Sequence, residues 1–245
     1  MTTAKPSLVV VGNGMAGMRT VEELLKLAPD LYDIPVFGAE PHGNYNRIML
    51  SPVLAGDKSI DDIMLNPRAW YDEHGITLHA GDPVVQIDRR QRTVHAQSGL
   101  AVKYDRLLLA TGSTPFIIPV PGHQLPGVIA FRDIQDVDTM LQAARTHRHA
   151  VVIGGGLLGL EAANGLRQRG MDVTVVHVGK WLLDRQLDET AGQLLQQALE
   201  ARGIRFALQH HTEQLLSDST GRVCAVAFRH GTQIPADLVV MAAGI

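Results

Sequence analysis

The chain has 245 residues, 45% hydrophobic, 19% charged and only 4% aromatic, which fits a folded globular protein of one or two domains and excludes a disordered one. Its 22 basic and 25 acidic side chains leave a formal charge of -3, so no overall positive field draws it to nucleic acid or to an anionic membrane. A single cysteine, Cys224, excludes an internal disulfide framework, a cysteine-ligated zinc site and an iron–sulfur cluster built from this chain alone. Its apolar neighbours mark it as a core thiol.

The first predicted strand is the apolar run over residues 8–11, which enters Gly12-Asn13-Gly14-Met15-Ala16-Gly17. Met18, Val21, Leu24, Leu25 and Ala28 then recur at helical spacing. The apolar run from Ile34 predicts a second strand that delivers Glu40 at its end. Residues 83–88 and 92–97 alternate as a hairpin, and residues 99–112 lead through Asp105 to Ala110-Thr111-Gly112. Residues 107–131 hold no Asp, Glu, Lys or Arg and are long enough to span a bilayer, but Pro115, Pro119, Pro121 and Pro126 forbid a helix there. No secretory apolar core forms behind Lys5, because Gly12 and Gly14 interrupt it, so the expectation is a cytoplasmic protein without a membrane partner.

A helix over residues 133–145, with Ile134, Val137, Met140, Leu141 and Ala144 on one face, leads into the second half. There Val151-Val152-Ile153 enters Gly154-Gly155-Gly156-Leu157-Leu158-Gly159, followed by a helix over residues 160–169. The strand from Asp172 ends on His177 without an acid, Lys180 lies just beyond it, and residues 212–216 and 223–229 form another hairpin.

These elements repeat. In Gly99 to Gly112 and again in Gly231 to Ala242-Ala243-Gly244, an Asp stands six residues after the first glycine and seven before the last. The fold class is therefore α/β, with two Rossmann-like dinucleotide-binding units built on parallel sheets with β-hairpin insertions. The expected boundary falls in the proline-rich crossover, giving residues 1–115 and 116–245.

Each glycine turn matches one chemical task. A dinucleotide pyrophosphate needs the unpaired N–H groups and positive dipole end of a helix N-terminus at very close range. The first glycine turns strand into helix, the second removes a Cβ from the pyrophosphate's path, and the third lets helix pack on sheet. Gly12, Gly14 and Gly17 fit these roles, as do Gly154, Gly156 and Gly159. Glu40 stands where an acid receives ribose hydroxyls, with a solvated loop carboxylate as the alternative. His177 is either a ligand group or a histidine that caps the strand end. With Lys180 it tolerates a 2′-phosphate, so NADH and NADPH both stay open.

The two turns, with Ala110-Thr111-Gly112 between them, resemble the two-dinucleotide flavoproteins that include ferredoxin and rubredoxin reductases and the pyridine nucleotide-disulfide oxidoreductases. The resemblance covers nearly the whole chain. It implies FAD at the first turn, NADH or NADPH at the second, Glu161 near the nicotinamide, and cofactor contacts from Ala110, Thr111, Gly112, Ala243 and Gly244. Residues 44–56, from Asn44-Tyr45-Asn46-Arg47 to Ser51-Pro52, and Asp184-Arg185-Gln186-Leu187-Asp188 resemble most the assimilatory nitrite-reductase branch of that family. That branch implies Arg47 and Ser51 beside the flavin, with Arg47 and Glu161 in catalytic roles. For Ser51 a helix cap before Pro52 is the alternative, and for Glu161 a helix-surface carboxylate.

The resemblance implies hydride transfer from NAD(P)H to FAD and onward electron transfer to a metal centre. The acceptor is a sirohaem and iron–sulfur region absent from this chain, or a small iron–sulfur protein if the chain is a stand-alone reductase. A non-catalytic nucleotide-binding remnant is the third reading. The family's closing strand and Gly-Asp motif do not follow Gly244, so the FAD domain is expected to lack its C-terminal closing segment. No metal-ligand set is expected among the eleven histidines.

Overall fold

A computed structural model describes residues 5–244. The chain divides into two compact units, one comprising residues up to Arg47 with Asp61–Ser113, the other Ile48–Ile60 with the residues from Thr114 onward.

In the first unit, β1 (Leu8–Val11) is followed by α1 (Met15–Leu27), β2 (Pro35–Gly38) and β3 (Asn44–Tyr45). The chain then leaves as α2 (Leu50–Ala55) and returns as β4 (Met64–Asn66), α3 (Arg68–Glu73) and β5 (Thr77–Ala80). An antiparallel insertion, β6 (Val84–Asp88), β7 (Thr93–Ala96) and β8 (Ala101–Lys103), precedes β9 (Arg106–Leu109). The parallel sheet runs β5-β2-β1-β9. Alternation along β1 sorts its two faces: Val10 packs with Val36, Met18 and Val21 under α1, while Val9 and Val11 pack with Phe37, Val94 and Ala96 under the antiparallel insertion. Each fully buried valine or phenylalanine contributes about 1.5–3 kcal/mol, so both faces specify the register.

The second unit repeats the plan. β10 (Val128–Ala130) and α4 (Ile134–Thr146) precede β11 (His149–Ile153), α5 (Leu157–Gln168), β12 (Asp172–His177), α6 (Glu189–Glu200) and β13 (Arg205–Leu208). β14 (Thr212–Ser217), β15 (Val223–Phe228) and β16 (Gln233–Pro235) form the antiparallel insertion, and β17 (Leu238–Met241) closes the parallel sheet β10-β17-β11-β12-β13. Val151, Ile153, Val239 and Met241 face the insertion through Leu215, Val226 and Phe228. The other face carries α5.

The repeated aspartates now have a physical role. Asp105 accepts the backbone N–H of Ser7 at 2.8 Å, and Asp237 accepts those of Arg148 and His149 at 3.0 and 2.8 Å, so each pins the start of the strand that enters its unit's glycine turn, β1 or β11. The units differ at one edge. β17 is covered by β10 and is buried along its length, whereas β9 has no outer neighbour among the described residues and leaves Leu109 58% exposed.

Three expectations are corrected. Both glycine-turn helices start a turn earlier than the apolar periodicity indicates, at Met15 and Leu157, because Gly14 and Gly156 themselves serve as N-caps. Cys224 is half-buried rather than in the core, since its neighbours Val223 and Ala225 take the inward positions of β15. Ser51 does not cap α2, whose N-cap is Met49. The proline-rich stretch forms no helix, and among the described residues no helix is long and apolar enough to cross a membrane.

Candidate functional site

The glycines of the two turns fall into two physical kinds. Gly12 and Gly154 have φ of +116° and +133°, and a Cβ on either would strike the carbonyl oxygen of Ala110 or Ala242 at 2.1 or 2.2 Å. A Cβ on Gly17 or Gly159 would meet the carbonyl oxygen of Gly12 or Gly154 at 2.6 or 2.0 Å. Those four are glycine because the protein's own backbone leaves no room. Gly14 and Gly156 differ: their φ values are -91° and -83°, and a Cβ there meets nothing within 4 Å. Nothing within the fold demands glycine at these two positions.

Both are also N-caps, where Ser, Asp or Asn would ordinarily stabilise the helix by about 1 kcal/mol. Neither α1 nor α5 has a side-chain cap or an acidic residue in its first turn. In the same molecule α4 is capped by Asp133 and α6 by Asp188. The bare N–H groups and dipole ends of α1 and α5 thus open onto the space left free by Gly14 and Gly156, an arrangement suited to an anion.

Two strand ends flank the turns. Beyond β2, Glu40 accepts hydrogen bonds from Tyr45 Oη at 2.6 Å and Arg47 Nη2 at 2.5 Å, and the Arg47 guanidinium lies 5.0 Å from the Tyr45 ring centroid. The structure therefore brings the sequence-expected Glu40 and Arg47 together. The turn below them is braced by a buried polar chain: Asn13 Nδ2 donates to the His42 carbonyl, Tyr71 Oη donates to Asn13 Oδ1, and the Asn44 backbone N–H donates to Tyr71 Oη. Burial pushes the Tyr71 phenol above its ordinary pKa, so it stays a donor.

At the end of β12, His177 Nδ1 accepts the backbone N–H of Gly155 at 3.2 Å, which places the ring proton on Nε2, facing Asp184 Oδ1 at 3.6 Å. A side chain on Gly155 would strike the His177 ring at 2.7 Å. In the first unit the pairing is reversed, with Asn13 in the turn and Gly38 at the strand end, where a Cβ would meet Asn13 Cβ at 2.9 Å.

Within the second unit, Ser51 Oγ donates to Glu161 Oε2 at 2.5 Å, joining α2 to the second turn of α5. Farther along, Arg169 donates through Nε to the Leu54 carbonyl at 2.6 Å and through Nη2 to the Val53 carbonyl at 3.0 Å. Leu54 lies directly over Gly165, where a Cβ would come within 2.7 Å. Arg47 belongs to the first unit, and Ser51 and Glu161 to the second.

Ala110 and Ala242 follow β9 and β17, hydrogen bond to Val11 and Ile153, and are small enough to let the turns approach. Thr111-Gly112 and Ala243-Gly244 continue from them, and Gly112 and Gly244 have φ of +74° and +137°. Sequence reasoning missed Tyr45 and Tyr71, whose roles depend on tertiary contacts, and Asp184, which lies seven residues beyond the strand end. The matched registers of the two units were the one signal that could have directed attention to Asp184.

Two uncapped helix N-termini, each behind a strand and a glycine turn, define a protein with two dinucleotide-type sites. The sequence profile of the pyridine nucleotide-disulphide oxidoreductases matches residues 6–245, and the chain belongs to that family. It is 54% identical over 241 residues to the nitrite reductase [NAD(P)H] of Bacillus subtilis (strain 168), a match covering 98% of this chain and 30% of that protein. It is 48% identical over 241 residues to that organism's assimilatory nitrate reductase electron transfer subunit, covering 98% of this chain and 31% of the relative. The crystal structure of the ferredoxin reductase for the CYP199A2 system from Rhodopseudomonas palustris superposes with a TM-score of 0.89 at 28% identity, over 98% of this chain and 59% of that one. The chain thus spans less than a third of the length of these two Bacillus subtilis relatives.

Proposed function

We propose that this chain is a flavin-dependent NAD(P)H oxidoreductase module, with FAD at the first turn and NADH or NADPH at the second. The observation that carries this reading is the free space at Gly14 and Gly156, where glycine has no cause inside the protein and a pyrophosphate supplies one. The bare N-termini of α1 and α5 give each pyrophosphate its hydrogen-bond donors. In domain terms, residues 1–115 hold FAD and 116–245 hold the nicotinamide nucleotide, with Ile48–Ile60 packed in the second unit.

A nicotinamide nucleotide held at the second turn would supply hydride chemistry, and an FAD held at the first would supply the capacity to accept a hydride and release electrons singly. The chain's own residues bind and orient. Glu40 receives the hydroxyls of the FAD adenosine ribose, Arg47 holds Glu40 in place and faces the flavin nucleotide, and Ala110, Thr111 and Gly112 border the first turn. Ala243 and Gly244 border the second, while Ser51 fixes the Glu161 carboxylate for its position near the nicotinamide.

The electron acceptor is a metal centre. Similarity to the Bacillus subtilis nitrite reductase favours a sirohaem and iron–sulfur region that receives electrons for nitrite reduction. Similarity to the ferredoxin reductase favours a separate small iron–sulfur protein instead. Anaerobic addition of NADH or NADPH to the FAD-reconstituted chain tests the module: bleaching of the flavin absorbance near 450 nm, on the order of one equivalent per chain, is expected. A preparation that binds NAD(P)H yet takes up no flavin would favour a non-catalytic nucleotide-binding role.

A further inference from the structure

The second unit has no acid on its own strand end, yet the fold delivers one there. The registers of the two parallel sheets align the units residue by residue: Val11 pairs with Phe37 as Ile153 pairs with Val176, and the N–H of Gly12 donates to Phe37 as that of Gly154 donates to Val176. Counting on from these pairs, Gly38 corresponds to His177 and Glu40 to Gly179. Glu40 is the carboxylate of the first strand end. A Cβ on Gly179 would stand 2.6 Å from both Asp184 Oδ2 and His177 Nε2, so the Asp184 carboxylate and the His177 ring together take the space that a side chain at position 179 would fill.

We infer that Asp184 is the ribose-hydroxyl acceptor of the second site and makes that site selective for NADH over NADPH. This rests on reading the second turn as the nicotinamide nucleotide site. Asp184 reaches the place of Glu40 from the loop behind β12, and glycine at 179 is what admits it. Its Oδ1 faces His177 Nε2 at 3.6 Å, and His177 is itself tied to the turn through the N–H of Gly155. His177 is thus assigned as a positioning residue: its ring stands between the turn, which it holds through Nδ1, and the carboxylate, which its buried Nε2 faces without a hydrogen bond.

The selectivity follows from what each ligand offers. A ribose 2′-hydroxyl donates to a carboxylate, whereas a 2′-phosphate has acceptor oxygens and negative charge and meets repulsion at the same point. Lys180 and Arg185 are exposed on the same loop and are the cations that would favour the phosphate, so the contest between these groups and Asp184 is measurable.

Calorimetric titration of the full chain with NADH and with NADPH, at one fixed ionic strength, reads the ratio of affinities. NADH should bind about tenfold tighter or better, and Asp184→Asn should narrow that ratio by about tenfold, with His177→Ala narrowing it in the same direction. Asp184 is exposed, and a thermal melt of Asp184→Asn beside the parent checks that the fold is kept. Parent affinity for NADPH equal to or above that for NADH overturns the inference without any variant, leaving the nucleotide-site reading intact. An unchanged ratio in Asp184→Asn also overturns it. Binding of neither nucleotide to the parent would remove the reading of the site and the inference with it.

Discussion

Ser51 Oγ donates to Glu161 Oε2 at 2.5 Å, so the segment that leaves the first unit as α2 is fastened to the helix that follows the second glycine turn. Arg169 makes the other fastening, through the carbonyls of Val53 and Leu54 near the C-terminal end of α2, of which that of Val53 also accepts the N–H of Gly56. The two are unequal: the Ser51 contact is solvent-exposed, whereas Arg169 makes two charge-assisted bonds in a partly buried place. Arg169→Ala is expected to cost about 1–2 kcal/mol of stability and Ser51→Ala less than about 1 kcal/mol. Denaturant midpoints of the two variants check the order, and equal losses would contradict it.

Glu40 holds Tyr45 and Arg47 and is proposed to hold the FAD ribose. Glu40→Ala should weaken FAD binding by about 1.5–3 kcal/mol, tenfold or more, because a charge-assisted hydrogen bond to the ligand is lost. The ion pair is partly exposed, so the fold itself should lose only about 1 kcal/mol. Fluorescence titration with FAD, beside a melt of each protein, separates the two effects; parental FAD affinity would disprove the ribose role.

Asp237 carries a pH signature. Burial pushes its carboxyl upward, but the backbone N–H groups of His149 and Arg148 and the His149 ring outweigh burial and hold its pKa below the ordinary aspartate value. A lowered folded-state pKa contributes stability that is complete above the unfolded value, about 3.9, and is lost as pH falls through the folded value. Asp237→Asn should therefore cost about 1 kcal/mol at neutral pH, allowing for partial exposure, and the gap between variant and parent should close below about pH 4. Melts between pH 2.5 and 7, roughly the span of that transition, measure it; a gap constant with pH would contradict the assignment.

Much of this was legible in the sequence for local reasons. Gly12, Gly14 and Gly17, and their counterparts, stand between an apolar run and a helical period, so strand, turn and helix read directly. The Asp105 and Asp237 repeat was visible as spacing, and its cause, pinning Ser7 and His149, needed the fold. The rest depends on contacts between residues far apart in the chain. Ile48–Ile60 joins the second unit through contacts of α2 with α4 and α5, Leu54 over Gly165 among them, and no local period records them. Glu40 was visible as a strand-end acid, but its clamp by Tyr45 and Arg47 was not. Asp184 stands in the run Asp184-Arg185-Gln186-Leu187-Asp188, but its place beside Gly179 depends on the fold.

The central claim is that Gly14 and Gly156 are glycine for the sake of a bound pyrophosphate. Gly156→Asp tests it most directly, because aspartate is a favoured N-cap and its carboxylate would occupy the anion's place on α5. The melting temperature should hold or rise, by about 2–4 °C for each kcal/mol gained from the cap. Affinity for the nicotinamide nucleotide should fall by about a hundredfold or more, while FAD binding is unchanged. Parental affinity for NADH and NADPH in this variant, with the fold intact, would contradict the account.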